Sequence, residues 1–138
     1  MARLGISALL AALVLAGAAP ASAQTAPSAT MANPAAVNCA RLGGTSERLV
    51  RGTLGEVGIC RFKNGRACEE WALMRGECPE SGVDEKPYAT VEGRFCVLRG
   101  GILSLEAGQT DERRGTYFLP ESRNCPVEAY WLGQCPRN

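Results

Sequence analysis

The sequence predicts an α+β protein made of two small tandem units, each a short helix, a β-hairpin and a second helix cross-linked by disulfides. Two observations support this fold class. The 138-residue chain aligns with itself when Cys39 is placed on Cys96, and all 7 cysteines lie within the aligned segments. A unit of about 45 residues is too small to be stable on its apolar core alone, so covalent cross-links are expected.

The two repeats are expected at residues 33–79 and 91–138, with a linker over residues 80–90. Over residues 39–79 the self-alignment contains 11 identities and no gap, whereas background composition supplies about two or three. The identical residues are mainly cysteines and glycines, namely Cys39 with Cys96, Gly43-Gly44 with Gly100-Gly101, Gly58 with Gly115, Cys68 with Cys125, Gly76 with Gly133 and Cys78-Pro79 with Cys135-Pro136. One constant register throughout favours a duplication over chance.

The segment from Met1 to Ala23 predicts a secretory signal peptide, followed by a disordered leader over residues 24–32. Arg3 provides the positive start, residues 4–19 form an apolar run, and Ala21-Ser22-Ala23 matches the cleavage pattern. The run is shorter than the roughly 20 residues that span a bilayer, and it is not followed by the cysteine that lipid attachment requires. We therefore expect an exported protein, periplasmic or secreted, with no transmembrane segment in the mature chain and no lipid anchor.

Local signals place the same elements in each repeat. Asn33-Pro34 predicts the start of a helix that Gly43-Gly44 ends, and Asn64-Gly65 predicts a two-residue hairpin turn. The predicted strands cover residues 47–51 and 56–63 in the first repeat and residues 102–107 and 115–119 in the second. The second helix of each repeat is predicted over residues 68–75 and 126–132.

Export places the cysteines in an oxidising compartment, so disulfides are expected. A bridge between Cys68 and Cys78 would have to span a predicted helix about 15 Å long, and bridged Cα atoms lie within about 7 Å. The expected two-residue turn places Cys60 opposite Glu69, so Cys60 and Cys68 would point to opposite faces. The pairing that remains is Cys39–Cys68 with Cys60–Cys78.

The second repeat has one cysteine fewer than the first, because Tyr117 stands at the position of Cys60. The same pairing scheme predicts a Cys96–Cys125 bridge in the second repeat. Cys135 is then predicted to be unpaired.

The composition excludes several classes of function. The chain contains no histidine, which rules out a Ser-His-Asp triad, a Cys-His pair and histidine-ligated zinc or haem. Its net charge of +1 lacks the basic excess of a nucleic-acid-binding protein. The cysteines form no C-x-x-C pair, so we expect neither a metal nor a cofactor.

Glu69 and Glu70, at the start of a predicted helix, are a candidate acid pair. Adjacent helical residues point about 100° apart, and carboxylates in this position complement the helix dipole. We therefore expect both residues to be structural, and we expect no enzymatic activity.

The first repeat resembles a bacterial family of cysteine-rich exported domains, the domain of unknown function 333, whose members are often labelled haemolysins. The resemblance covers residues 33–79 and rests on the four cysteines and on the segment from Cys68 to Pro79, CEEWALMRGECP. The second repeat resembles a degenerate member, because it lacks the counterparts of Cys60, Glu69-Glu70-Trp71 and Arg75. The resemblance implies an exported domain and brings no catalytic residues.

By elimination, the sequence favours a non-catalytic module that binds an exported protein or an envelope protein. The first repeat contains Arg66, Trp71 and Arg75, and arginine and tryptophan are enriched in binding hot spots. These three residues are the candidate contact surface, although the helical spacing of Trp71 and Met74 favours a core position for Trp71. The second repeat is expected mainly to support the first.

Three alternatives stay open at this point. The family label suggests a membrane-active haemolysin, but the mature sequence contains no long amphipathic or apolar segment for insertion. Small size and export also suit an inhibitor of a lysozyme or protease, although the sequence contains no inhibitory loop. An envelope protein without a discrete ligand is the third alternative, and the sequence leaves the oligomeric state open.

Overall fold

The computed structural model describes residues 31–135. Within this range the chain is α+β, as predicted, and each repeat contains a helix, a three-stranded antiparallel sheet and a second helix. The predicted signal peptide, and the predicted leader up to residue 30, lie outside the described residues. Within residues 31–135 we find no helix of the length and apolarity needed to cross a bilayer.

The elements follow in the same order in both repeats. Those of the first are α1 (Pro34–Arg41), β1 (Thr45–Val50), β2 (Glu56–Arg61), β3 (Ala67–Glu69) and α2 (Glu70–Met74). Those of the second are α3 (Val91–Leu98), β4 (Ile102–Ser104), β5 (Thr116–Phe118), β6 (Asn124–Pro126) and α4 (Val127–Trp131). The strand order is β1-β2-β3 in the first sheet and β4-β5-β6 in the second, so each predicted hairpin carries a third strand that the sequence did not predict.

The sequence register that places Cys39 on Cys96 also aligns the two folds. Helices α1 and α3, strands β3 and β6, and helices α2 and α4 coincide residue for residue. The strand registers coincide as well, because Thr45 pairs with Arg61 just as Ile102 pairs with Phe118. Aligned residues therefore occupy equivalent positions, and the repeats can be compared side chain by side chain.

The predicted disulfide pairing is wrong in both repeats. The bridges within the described residues are Cys39–Cys60, Cys68–Cys78 and Cys125–Cys135. The free cysteine is the buried Cys96, and Cys135 is paired.

The first error lies in the length of the second helix. Helix α2 starts at Glu70 and has only five residues, so Cys68 lies in strand β3 before the helix. The chain reverses at Gly76, whose φ of 74° suits glycine. This reversal returns Cys78 to 6.0 Å from Cys68, measured between Cα atoms, which is well within bridging distance.

The second error lies in the length of the hairpin loop. The amide of Phe62 donates to the carbonyl of Arg66, so residues 63–65 form a three-residue loop where two were predicted. One extra residue shifts the register by one and exchanges the faces. Cys60 therefore lies opposite Cys68, and Ile59 lies opposite Glu69. Cys60 faces helix α1, where its Cα lies 5.5 Å from that of Cys39.

Tyr117 explains why Cys96 is free. Cys96 and Tyr117 occupy the positions equivalent to the bridged Cys39 and Cys60, so the tyrosine has removed the partner of Cys96. Both residues are buried, and the Tyr117 ring packs against Tyr130 with centroids 4.6 Å apart. Burial raises the pKa of the Cys96 thiol to about 12, which keeps it protonated and unreactive at neutral pH.

The two repeats pack against each other through the first sheet and helix α3. One face of that sheet packs on α1 and α2 around the two disulfides. On the opposite face, Leu98 of α3 forms a buried cluster with Ile59 and Ala67. The backbone of Gly100, with a φ of 87°, approaches the Glu77 carbonyl so closely that a Cβ would overlap it.

Two arginines cross this boundary in opposite directions. Arg51 of the first repeat donates to the carbonyls of Tyr130 (2.8 Å) and Trp131 (2.5 Å) at the end of α4, and its guanidinium lies 4.3 Å from the centroid of the Phe95 ring. Arg99 of the second repeat donates to Glu69 of the first repeat at 2.8 Å. Each repeat thus satisfies polar groups of the other.

The equivalence of the repeats can be tested by restoring the missing bridge. We expect Tyr117→Cys to form a disulfide with Cys96, because the register places residue 117 where Cys60 lies in the first repeat. A thiol assay on the denatured protein should find one free thiol in the natural protein and none in the variant. Thr116→Cys is the matched control, since its side chain points to the other sheet face and should leave two free thiols. Two free thiols in Tyr117→Cys would contradict the equivalence.

Candidate functional site

A pocket of about 170 Å³ lies where helix α3 meets the first sheet. Ligand sites for drug-sized molecules and cofactors usually measure about 300–1,000 Å³. This pocket is therefore suited to one side chain or a small ion. Its lining residues are Glu47, Arg48, Leu49, Ile59, Arg61, Glu85, Val91, Arg94 and Leu98.

Strand alternation and helical periodicity build the two sides of the pocket. On the sheet side, Glu47 pairs directly with Ile59 in the β1–β2 ladder, and alternate residues of each strand share a face. On the helix side, Val91, Arg94 and Leu98 are spaced i, i+3 and i+7, which places them on one face of α3. Ile59 and Leu98 are buried and form an apolar floor.

The charges of the pocket are unevenly neutralised. Arg61 donates to Glu47 at 2.8 Å and to Glu85 at 2.7 Å, and these two hydrogen bonds raise its pKa. Arg48 and Arg94 are exposed, and neither has a hydrogen-bond or ion-pair partner among residues 31–135. Arg94 lies on the face of α3 that lines the pocket, whereas strand alternation directs the Arg48 side chain to the sheet face opposite that of Glu47. One guanidinium group with open donors thus stands beside an apolar floor, an arrangement suited to a carboxylate.

Helix α3 is held in place at its start by a buried carboxylate. Thr90 caps the helix by accepting from the Gly93 amide at 3.0 Å. Glu112 accepts in turn from the Ala89 amide, the Thr90 amide and the Thr90 hydroxyl at 2.6–2.8 Å. Burial opposes ionisation of Glu112, but these hydrogen bonds outweigh it and lower its pKa.

The predicted contact residues do not form one continuous site. Trp71 lies on α2 and is 42 % exposed, so the expectation of a core position from its spacing to Met74 is wrong. Arg75 caps the same helix and is held by Glu77 through two bonds of 2.6 and 2.7 Å. Arg66 lies before strand β3, where its Cβ contacts Gly82. Trp71 and Arg75 are one turn apart, whereas Arg66 belongs to the hairpin end of the sheet.

Glu69 and Glu70 have different environments. The Glu69 carboxylate caps α2 by accepting from the amides of Trp71 and Ala72, at 3.0 and 2.9 Å, and it also accepts from Arg99. Glu70 is fully buried beside Gly58, and neither carboxylate oxygen has a partner within the part of the chain that the structure describes. The expected role at the helix start is confirmed for Glu69, whereas Glu70 is a core residue.

The sequence analysis missed the pocket because it lies between the repeats. Ile59 and Arg94 belong to different repeats, and no local pattern connects them. Strand β1 reads TSERLV, in which charged and apolar residues do not alternate, so it gave no sign that its second face is covered.

No cluster of three or more acidic or cysteine side chains that could hold a metal is present among residues 31–135. The polar side chains at the pocket are arginines and glutamates, so the arrangement can bind and orient an anionic group. Its chemistry is that of recognition by charge and shape.

Comparison with known proteins gives a match to a family model described as a domain of unknown function (DUF333), over residues 30–77. This segment is about a third of the chain and corresponds to the first repeat, so the match supports the family resemblance of that repeat. No curated protein and no solved structure matches the chain.

Replacement of Glu112 should change how the stability depends on pH. A carboxyl whose pKa is lowered by folding stabilises the native state above its unfolded value, and this stabilisation is lost as the pH falls. We expect Glu112→Gln to lower the free energy of unfolding by about 2 kcal/mol at neutral pH. The deficit should shrink below pH 4.5, the ordinary value for glutamate. Urea unfolding at neutral pH and below pH 4.5 tests this, with the exposed Glu106→Gln as control. A loss of stability that is the same at both pH values would refute it.

Replacement of the buried Glu70 should stabilise the protein. A buried polar group without a partner costs about 1–3 kcal/mol, and the equivalent position in the second repeat holds the buried, apolar Val127. We expect Glu70→Met to raise the free energy of unfolding by an amount in this range, while Glu80→Met at an exposed site changes it little. A loss of stability in Glu70→Met, measured by urea unfolding, would show that the carboxylate is satisfied in solution.

Proposed function

We propose that this protein is an exported, non-catalytic binding module that receives an acidic side chain of another exported or envelope protein in the pocket between α3 and the first sheet. The observation that carries the proposal is the Arg94 guanidinium, which has no partner among residues 31–135 and stands beside the apolar floor of Ile59 and Leu98. The pocket holds one side chain, so the rest of the contact would spread over the surrounding surface.

The charge pattern supports an acidic partner. An arginine guanidinium binds a carboxylate through two parallel hydrogen bonds, and such charge-assisted bonds are about twice as strong as neutral ones. Glu47 and Glu85 already engage Arg61, which leaves the donors of Arg94 for the partner. The floor favours a segment in which acidic and aliphatic residues alternate.

The rigidity of the fold also supports a binding role. Three disulfides cross-link the short described chain, residues 31–135, and the pocket is lined mainly by secondary-structure elements. A preformed site loses little conformational entropy on binding. Disulfides also fit an oxidising compartment, in agreement with the predicted export.

The surroundings of the reactive groups favour the absence of catalysis. Glu69 is occupied by helix capping and by Arg99, and Glu70 is sealed in the core. Burial keeps the Cys96 thiol protonated. None of these groups faces the pocket with a free lone pair or a nucleophile.

We also extend the family resemblance to the second repeat. We take the second repeat to be a degenerate copy of the matched domain, because its elements and registers coincide with those of the first in the self-alignment. Its contribution to function is then α3, which supplies Arg94 and closes the pocket. This differs from a merely supporting role, since neither repeat forms the pocket alone.

Binding can be measured with a fluorescein-labelled hexapeptide of alternating Glu and Leu. We expect Arg94→Ala to weaken binding about tenfold, equivalent to the roughly 1.4 kcal/mol expected from one charge-assisted contact. Arg123→Ala is the matched control, because Arg123 does not line the pocket. Equal binding of a Lys-Leu peptide, or unchanged binding by Arg94→Ala, would refute the proposal.

A parallel measurement addresses the haemolysin label. We expect the oxidised protein to release no dye from anionic or zwitterionic vesicles, and the reduced protein to release none either. Release by the oxidised protein would favour membrane activity over the proposed binding role.

A further inference from the structure

The two sheets differ in what covers their second face. In the first sheet this face packs against α3 of the second repeat, with Leu98 buried on Ile59 and Ala67. The equivalent face of the second sheet is uncovered among residues 31–135. Ile102 is 69 % exposed and Phe118 is 44 % exposed, and they pair directly across the β4–β5 ladder.

Helix α1 has an outer face equivalent to the docking face of α3. Val91, Arg94 and Leu98 are the α3 residues that line the contact with the first sheet. Their equivalents are Pro34, Val37 and Arg41, which are all exposed; Val37 is 55 % exposed. Among residues 31–135, the docking face of the helix is therefore unoccupied in one repeat, and the receiving face of the sheet is unoccupied in the other.

We propose that α1 of one molecule docks on the second sheet of another molecule in the way that α3 docks on the first sheet. The occupant of the open sheet face is thus a second copy of this chain. The argument is the continuity of the packing pattern: a contact already present within the chain would be repeated between chains.

Where the internal contact between α3 and the first sheet is apolar, the equivalent exposed residues of α1 and the second sheet carry opposite charges. Within the chain, Leu98 of α3 packs in a cluster that includes Leu49. The equivalent residues are Arg41 on α1 and Glu106 after β4, both exposed. An apolar pair inside the chain corresponds to a pair of opposite charges between chains.

Where the internal contact between α3 and the first sheet is polar, the equivalent residues of α1 and the second sheet are apolar. Arg94 shares the charged pocket with Arg61, and the equivalent of Arg94 is Val37, while that of Arg61 is Phe118. A polar contact inside the chain thus corresponds to an apolar contact between chains. The helix residue and the sheet residue of the contact differ together between the two repeats.

The contact between molecules would be weaker than the internal one. No peptide linker joins the two surfaces, and Gly108 stands at the position of Arg51, so the arginine that reaches α4 has no counterpart. A contact between two different surfaces is heterologous, and it leaves one free helix and one free sheet on each assembly. We therefore expect a concentration-dependent series of oligomers that continues beyond the dimer.

Sedimentation velocity of the full oxidised chain at rising concentration tests the association. Val37→Glu on the helix and Phe118→Glu on the sheet should each reduce it to monomer, because each places a charge in the proposed contact. Val50→Glu is the matched control, since Val50 is also an exposed valine, at 60 %, and lies on neither surface. Circular dichroism and free-thiol counting establish that all variants are folded.

Mixing the two disrupted variants distinguishes this arrangement from a symmetric contact of sheet with sheet or of helix with helix. Val37→Glu retains a sound sheet face and Phe118→Glu retains a sound helix, so an equimolar mixture should form a one-to-one dimer and stop there. A symmetric sheet-to-sheet dimer would be abolished by Phe118→Glu, unaffected by Val37→Glu and not restored by mixing. That result, or a natural protein that stays monomeric at all concentrations, would overturn the proposal.

Discussion

The exchange of arginine side chains between the repeats is the constraint on which the rest of the structure depends. Arg51 satisfies two carbonyls at the end of α4, where helix carbonyls have no partner of their own, and it covers the Phe95 ring. Arg99 completes the coordination of Glu69, which itself caps α2. Removal of Arg51 would take the arginine donor from the Trp131 carbonyl, and removal of Arg99 would leave the buried Glu69 carboxylate without its cation, so the orientation of the repeats and the ends of their helices are determined together.

Covalent and non-covalent contacts have separate roles in this protein. Each of the three disulfides lies within one repeat, where it joins elements that are too short to be stable alone. None crosses the boundary within residues 31–135. The boundary is held by Leu98, by the two arginines and by the close approach of Gly100 to Glu77. The pocket lies at this boundary, so its shape depends on packing and charge. Helix α3 supplies one side of the pocket.

The comparison of equivalent positions shows how two units with the same order of elements differ. Tyr117 replaces a bridging cysteine and converts a cross-link into an aromatic cluster with Tyr130 and Phe95. Arg99 stands at the position equivalent to Leu42 and forms an ion pair with Glu69. Glu70 is buried and unpartnered in the first repeat, where the second has Val127. The first repeat keeps two disulfides and an isolated buried carboxylate, whereas the second has one disulfide and a larger aromatic core.

The sequence by itself determined the fold class, the repeated order of elements and the start of α1, because a cap such as Asn33 and a glycine after the last turn act over a few residues. It predicted the start of α2 at Cys68, whereas the helix begins at Glu70. It did not determine which cysteines pair, since one extra loop residue before Arg66 exchanges the faces of β2. Nor did it reveal the pocket or the burial of Glu70, because these depend on which face of a sheet is covered by a helix from a distant part of the chain. Only the tertiary structure decides that contact, since packing between distant segments leaves no local pattern in the sequence.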